Sequence, residues 1–219
     1  MADIKTAMAN AHKAQVKQYG SQIDREEYNE LRGYADNHKI LLSGFHNYVG
    51  DVETIKTVID DISEIAKDFP RILEEKNRVL LLLDFDMSDD SFATTDSGHW
   101  IHLNAEYFMD LDRLKQSYAE DVRIGRFVKN TDWRSVARHE TGHVVANIYH
   151  IDEISLAKRL LGTTNIPTIL ERLRKELSIY SAEYLDCREV ISECFSGYYS
   201  KAGNVLADKY VAMCLELIQ

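Results

Sequence analysis

The sequence is poor in residues that break or divide a chain. Only two of its 219 residues are proline, Pro70 and Pro167, and no stretch rich in serine and glycine separates one part from another. Hydrophobic residues make up 45% of the composition, which is enough for a substantial core. We therefore expect one domain over residues 41–219, preceded by a helical N-terminal lead-in over residues 1–40.

Clusters of positive charge are also missing. The formal net charge is -10, and lysine and arginine are scattered among more numerous acidic residues. Proteins that bind nucleic acids or anionic membranes use grouped basic side chains to neutralise phosphates. The composition therefore predicts neither a nucleic acid nor a membrane as a partner.

Long apolar segments and paired cysteines are equally scarce. The longest apolar run, residues 79–83, is too short to cross a bilayer, and the first residues lack the segments of a signal peptide. The three cysteines, Cys187, Cys194 and Cys214, are odd in number and lack the spacing of a metal site. We expect free thiols and a cytoplasmic location in the producing cell.

Helical periodicity of the apolar residues dominates the rest of the chain. It predicts helices over residues 1–18, 24–37, 51–68, 108–121, 132–150, 154–161, 168–177, 188–199 and 205–217. A continuous apolar run over residues 79–85 predicts a buried strand, and alternation over residues 96–104 predicts a second strand near a sheet edge. The expected fold class is α+β, mostly helical with a small mixed sheet beside the helix over residues 132–150.

The strongest local pattern is His139-Glu140-Thr141-Gly142-His143. Residues four apart share one face of a helix, so the two imidazoles converge on a point that suits two corners of a tetrahedral zinc site. Glu140 can then take a proton from a zinc-bound water. The alternative is an amphipathic helix with two ordinary histidines. Gly142, which lets the backbone lie close to the sheet or metal, and the apolar neighbours on this helix favour zinc.

A catalytic zinc needs a third protein ligand, and His150, the last histidine, does not have the spacing of one. Glu189 and Glu193 are again four residues apart, so one carboxylate can bind the metal while the other accepts the outer N–H of a ligating histidine. The alternative is a solvated helix face. Apolar neighbours between and after the two glutamates favour an inward position for at least one of them.

The metal motif, the Ser178-Ile179-Tyr180 element and Glu189-x-x-x-Glu193-x-Phe195 together resemble the gluzincin clan of zinc metallopeptidases. The likeness is to the branch that contains the anthrax lethal factor catalytic domain and the peptidase domains of phage minor head (MuF-type) proteins. Softer similarities to the phage-type members extend it over residues 40–200. The resemblance implies a zincin-like fold.

Carried over residue by residue, the resemblance implies that His139, His143 and Glu189 bind Zn2+, that Glu140 is the general base and that Glu193 is the supporting carboxylate. In this branch a tyrosine shortly before the ligand glutamate points at the metal. Tyr180 lies nine residues and Tyr184 five residues before Glu189, and neither spacing matches the family. The S-x-Y context favours Tyr180, and packing of either tyrosine is the alternative.

Three further features bear on the site. His99 and His102 are expected to be surface or structural histidines rather than ligands. The strand at residues 100–104 is expected to be the edge that pairs with an extended substrate. The loop over residues 125–131 is either a gate for the cleft or an ordinary connection.

The function predicted from these features is a zinc endopeptidase that cleaves a protein or peptide substrate. The resemblance adds phage head components as partners and association with the virion. The first alternative is a non-catalytic, zinc-stabilised structural or interaction module of a phage particle. The second is a regulatory peptidase similar to the antirepressor-directed proteases of mobile elements. The presence of Glu140 favours catalysis, because a structural site needs no base there.

Overall fold

A computed structural model describes residues 23–88, 90–96 and 99–218. The strands within these ranges are β1 (Leu41–Ser43), β2 (Leu80–Asp84), β3 (Ala93–Thr95) and β4 (Trp100–Asn104). The helices are α1 (Arg25–Asn37), α2 (Val52–Asp68), α3 (Ala105–Phe108), α4 (Leu111–Arg123), α5 (Ser135–Tyr149), α6 (Glu153–Leu161), α7 (Ile166–Glu176), α8 (Val190–Tyr199) and α9 (Val205–Ile218). Short 3-10 turns occupy Phe45–Asn47, Pro70–Leu73, Glu75–Asn77 and Tyr180–Ala182.

The strands form one mixed sheet in the order β1-β2-β4-β3. Strands β1, β2 and β4 are parallel to one another, while β3 runs antiparallel to β4 with Thr95 opposite Ile101. The mostly helical α+β fold with a small mixed sheet is thereby confirmed. The prediction that residues 100–104 form the edge strand is wrong, because β3 covers that side of β4.

Side-chain caps set where most helices begin. Asp24, Asp51 and Asp152 accept hydrogen bonds from backbone N–H groups in the first turns of α1, α2 and α6. Asp110 does the same for α4, so the helix predicted from residue 108 starts at Leu111 instead, and the preceding residues form the separate turn α3. The other predicted helices in the described ranges are confirmed, with ends that differ by up to three residues.

Helix α5 lies between the sheet and α8 and is buried over most of its length. A Cβ atom added at Gly142 would lie 2.8 Å from the Cα and 3.2 Å from the backbone nitrogen of Ser192. Glycine is therefore required here by the close approach of two helix backbones. The close neighbour is α8, rather than the sheet or a metal as the sequence suggested.

A buried ion cluster fixes the start of α5 against α2. The fully buried Asp61 carboxylate accepts hydrogen bonds from the guanidinium groups of Arg134 and Arg138. Arg138 also donates to the hydroxyl of Ser200 at 2.8 Å, just after α8. Burial raises the pKa of Asp61 and the two arginines oppose that rise. Arg138 directly precedes His139, so this cluster helps to orient the start of the metal motif.

The cysteines, the apolar segments and the N-terminal region were also the subject of predictions. The three cysteines are free and buried, as expected. No helix in the described part of the chain has the length and apolar character needed to cross a membrane. The helix expected over residues 1–18 lies outside the described residues. The division into a lead-in over residues 1–40 and a domain over residues 41–219 remains a prediction.

Candidate metal centre

Helices α5 and α8 bring three potential ligands to one point. His139 and His143 lie one turn apart on the same face of α5, with ring centroids 5.1 Å apart. Glu189 directly precedes α8, and its Oε2 atom lies 3.2 Å from the Nε2 atom of each histidine. The ligand atoms of all three residues lie within 4.8 Å of one another.

The spacing of these atoms fits a bound metal ion. Oε2 of Glu189 is buried and accepts no hydrogen bond from any described residue, although two imidazole nitrogens lie 3.2 Å away. Bonds of about 2.0–2.1 Å at tetrahedral angles would place neighbouring ligand atoms about 3.3–3.4 Å apart. Two imidazoles and a carboxylate are a common ligand set for Zn2+ and other first-row divalent metals.

The electrostatics of the cluster favour a cation. Burial alone would raise the pKa of Glu189, but the neighbouring imidazoles of His139 and His143 hold it well below its usual range. Burial alone would likewise lower the pKa of His139, but Glu189 and Glu193 hold it well above its usual range. The two carboxylates thus stabilise positive charge at this point.

Glu193 lies behind the first histidine, where the sequence predicted a supporting carboxylate. Its Oε1 atom is 3.0 Å from Nδ1 of His139, and the residue is only 1% exposed. A carboxylate at this nitrogen favours the tautomer with the proton on Nδ1 and leaves Nε2 free to bind a metal. Glu189 and Glu193 therefore both lie in the cluster. Glu189 faces the Nε2 atoms of the two histidines, and Glu193 faces Nδ1 of His139.

Glu140 lies in the wall of the adjoining cavity, next to His139. It is 6% exposed, and its Oε2 atom accepts a hydrogen bond of 2.7 Å from the hydroxyl of Thr95 on β3. Sequence reasoning missed Thr95. Its strand has only three residues, and no spacing rule connects it with a helix residue 45 positions later.

The two candidate tyrosines occupy different environments. The ring of Tyr180 packs 5.6 Å from that of His139 and lines the same cavity as His139 and Glu140. Tyr184 is 36% exposed and lies beneath the guanidinium group of Arg188. Burial, followed by the charges of Glu189 and Glu140, raises the pKa of Tyr180, so its hydroxyl keeps its proton at neutral pH.

The loop over residues 125–131 holds Tyr180 in this place. The backbone N–H groups of Ile179 and Tyr180 donate to the carbonyls of Gly125 and Arg126 at 2.9 and 3.0 Å. The Arg126 guanidinium lies 5.7 Å from the centre of the Tyr180 ring. Main-chain hydrogen bonds therefore join this loop directly to the segment that carries Tyr180.

The cavity beside the ligands runs between β3 and α5. Aromatic rings of Phe92, Tyr118, Phe127 and Tyr180 line it, and Phe127 stacks on Tyr118 with ring centroids 5.1 Å apart. His139 and Glu140 form the wall nearest the ligand cluster. The lining of this cavity therefore combines aromatic rings with the candidate base.

Neither of the two strand-region histidines joins the cluster. His102 lies on β4, where its Nδ1 atom is 3.0 Å from Asp84 and its Nε2 atom is 3.7 Å from Asp96. His99 is half-buried in the bend before β4. His102 thus has the structural role that was expected.

Searches of protein-family models, of curated proteins and of solved structures found no match to this chain. The class of this protein is therefore stated from its own fold and site. It is a helix-rich α+β protein with a buried candidate metal-binding group, His139, His143 and Glu189, whose arrangement is compatible with a zincin-like site.

Proposed function

We propose that the protein is a zinc-dependent endopeptidase of the gluzincin type. One observation supports this above all: three ligand atoms from α5 and α8 converge, and a carboxylate, Glu140, lines the adjoining cavity. A site that served only to stabilise the fold would need no acidic side chain there. The H-E-x-x-H spacing and the resemblance stated above agree with this function.

The roles proposed for the residues follow from their positions. His139, His143 and Glu189 would hold the zinc, and Glu193 keeps the first imidazole in the binding tautomer. When bound, zinc lowers the pKa of water and polarises a carbonyl group. Glu140 takes the proton from the attacking water and later gives it to the leaving amine.

Tyr180 is proposed to donate a hydrogen bond to the oxygen that becomes negatively charged when water attacks the peptide carbonyl. Its ring lies against His139, and its pKa is raised, so the hydroxyl is protonated and able to donate. Tyr184, further out beneath Arg188, is the less suitable donor.

An extended substrate is proposed to pair with β3 rather than with β4. The N–H of Asn104 donates to the carbonyl of Phe92, and the N–H of Asp96 donates to the carbonyl of Trp100. Phe92 and Asp96, which flank β3, are therefore in hydrogen-bonded positions. The intervening Ala93 and Thr95 therefore turn their backbone groups away from β4. Among the described strands none covers that side, where the hydroxyl of Ser91 donates to the Ala93 carbonyl and a peptide would pair with Thr95 beside the ligand helix.

The partners and location belong to the same proposal. The substrate class is a protein or peptide, and the resemblance to phage minor head proteins suggests phage head components and a place in the virion after synthesis in the cytoplasm. The phage head components and the place in the virion rest on the resemblance alone.

Metal analysis tests the first half of the proposal. Purified protein should contain about one zinc per chain, and a His139→Ala, His143→Ala double variant should contain none. His150→Asn is a matched control, since this exposed histidine ends α5 in the left-handed conformation that asparagine tolerates. An undiminished zinc content in the double variant would contradict the assignment.

Cleavage analysis tests the second half. Glu140→Gln should keep the zinc and the fold but lose cleavage of denatured casein, whereas Glu183→Gln, an exposed glutamate, should behave as the wild type. Newly formed peptide ends, identified in a producing cell against the Glu140→Gln strain, would name the substrate. Full zinc loading without cleavage of any protein would support the non-catalytic module instead.

A further inference from the structure

The contact between Thr95 and Glu140 joins the sheet to the metal-binding helix at the candidate base. The Thr95 hydroxyl lies 2.7 Å from Oε2 of Glu140 and 3.1 Å from the backbone oxygen of the same residue. A hydroxyl has one proton, and a hydrogen bond to an ionised carboxylate is the stronger of the two. Within the described residues, no other side chain donates to this carboxylate.

The strand holds that hydroxyl in a defined place. Ala93, two residues earlier on the same face of β3, is buried, and β3 packs against α5. Thr94, on the opposite face, is exposed. As a β-branched residue, Thr95 also has few side-chain conformations available. The hydroxyl therefore contacts Glu140 from a strand that is paired with β4.

A glutamate that serves as a base has several rotatable bonds, and its reactivity depends on where its oxygens lie. A donor that occupies one oxygen restricts these rotations and leaves the other oxygen for the proton transfer. We propose that Thr95 is a positioning residue for Glu140: its hydroxyl binds Oε2 and so orients Oε1 toward the attacking water. This inference rests on the proposed function of Glu140 as the base.

Kinetics of three variants test the inference on zinc-loaded full-length protein, with labelled casein as the probe. Thr95→Val removes the hydroxyl at nearly constant shape, Thr95→Ser keeps it, and Thr164→Val makes the first change at an exposed threonine outside the site. Loss of a supporting hydrogen bond of this kind typically costs about 10- to 100-fold in activity, so Thr95→Val should lower kcat by that factor. KM and zinc content should stay within about twofold of the wild type.

The controls separate orientation of the base from stabilisation of the fold. Thr95→Ser should keep kcat within about threefold of the wild type, and Thr164→Val should leave it unchanged. In a Glu140→Gln background, Thr95→Val should cause no further loss, because both changes act on one step. A kcat for Thr95→Val within about threefold of the wild type, or loss of its zinc, would overturn the inference.

A second readout does not depend on activity. In crystal structures of the zinc-loaded proteins, the Glu140 carboxylate should adopt one conformation in the wild type and Thr95→Ser, and a different or divided one in Thr95→Val. An unchanged carboxylate in Thr95→Val would overturn the positioning role. If the wild type cleaves nothing, the proposed function fails, while these structures still decide whether Thr95 orients Glu140. Thr95→Ala replaces Thr95→Val in both experiments if the valine variant does not fold.

Discussion

Replacing Gly142 by alanine should separate the two helices that form the candidate metal centre. The added Cβ would lie 2.8 Å from the Cα of Ser192, a buried backbone atom that cannot swing aside. An ordinary contact begins at 3.4 Å, so α5 and α8 must move apart, and an ordinary contact is restored after a shift of about 0.6 Å. Glu189, three residues before Ser192, must move with α8.

The expected magnitude combines two opposing terms. Overpacking of this kind costs about 1–3 kcal/mol, whereas alanine is favoured over glycine within a helix by about 1 kcal/mol. The net destabilisation should therefore be about 0–2 kcal/mol. Binding sites tolerate displacements of about 0.5 Å, so zinc affinity should fall by about 10- to 100-fold.

Gly33→Ala is a matched control within the same protein. Gly33 lies in the exposed part of α1, and a Cβ there would meet no atom within 4 Å. The same gain in helix propensity should stabilise this variant by about 0.5–1 kcal/mol. Because the propensity term is common to both, the difference between Gly142→Ala and Gly33→Ala isolates the cost of the helix contact.

Two measurements are needed for each variant. Urea unfolding gives the free energy of unfolding, and competition with a chromophoric chelator gives the dissociation constant for zinc. Equal stability of Gly142→Ala and Gly33→Ala, together with unchanged zinc affinity, would refute the argument that the helix contact positions Glu189.

Other predictions concern the ligands, the metal and pH. Glu189→Gln should raise the dissociation constant for zinc more than Glu193→Gln does, and the reverse order in a zinc titration would exchange their roles. Zinc at a thousand times its dissociation constant should stabilise the fold by about 4 kcal/mol, so a chelator should lower Tm, and an unchanged Tm would argue against a native metal site. The hydrogen bond to Asp84 raises the pKa of His102 despite burial. The stabilisation by this pair is therefore fully present below the ordinary pKa of histidine and is lost as the pH rises through the raised value. The stability difference between the wild type and His102→Gln should be larger at about pH 5.5 than at about pH 9, and equal differences would contradict it.

Long periodic segments made most of the helices predictable. The apolar positions of α2 could be predicted to share one face of a helix from their spacing alone. The same holds for the pair His139 and His143 and for the pair Glu189 and Glu193, each four residues apart. Zinc chemistry, which needs a third ligand, predicted that Glu189 or Glu193 joins His139 and His143, and the family resemblance selected Glu189.

Short elements and long-range contacts were not predictable in the same way. Strand β3, Ala-Thr-Thr, has too few residues for a pattern of period two, and its omission made β4 look like the edge of the sheet. Asp110 caps α4 at Leu111, whereas apolar periodicity alone predicted a start at residue 108. The contact of Thr95 with Glu140 depends on how the sheet packs against α5, and a single sequence contains no record of that packing.

The sequence alone also could not decide firmly between Tyr180 and Tyr184. Both precede Glu189 at spacings that could bring them near it, and a 3-10 turn rather than a regular helix follows Ile179. Main-chain hydrogen bonds to Gly125 and Arg126, which no side-chain pattern reveals, determine that Tyr180 is the one beside His139.

The candidate ligands and the supporting Glu193 all belong to α5 or to the segment that includes Glu189 and α8, while Thr95 belongs to the sheet. Metal binding would therefore depend directly on the pairing of these two helices, and the proposed cleavage would depend, in addition, on the contact of the sheet with Glu140. Low activity at full metal content would then be explained by loss of the contact between the sheet and Glu140, without damage to the ligands. Amide hydrogen exchange at β3 would show how much of the protein has the sheet in place.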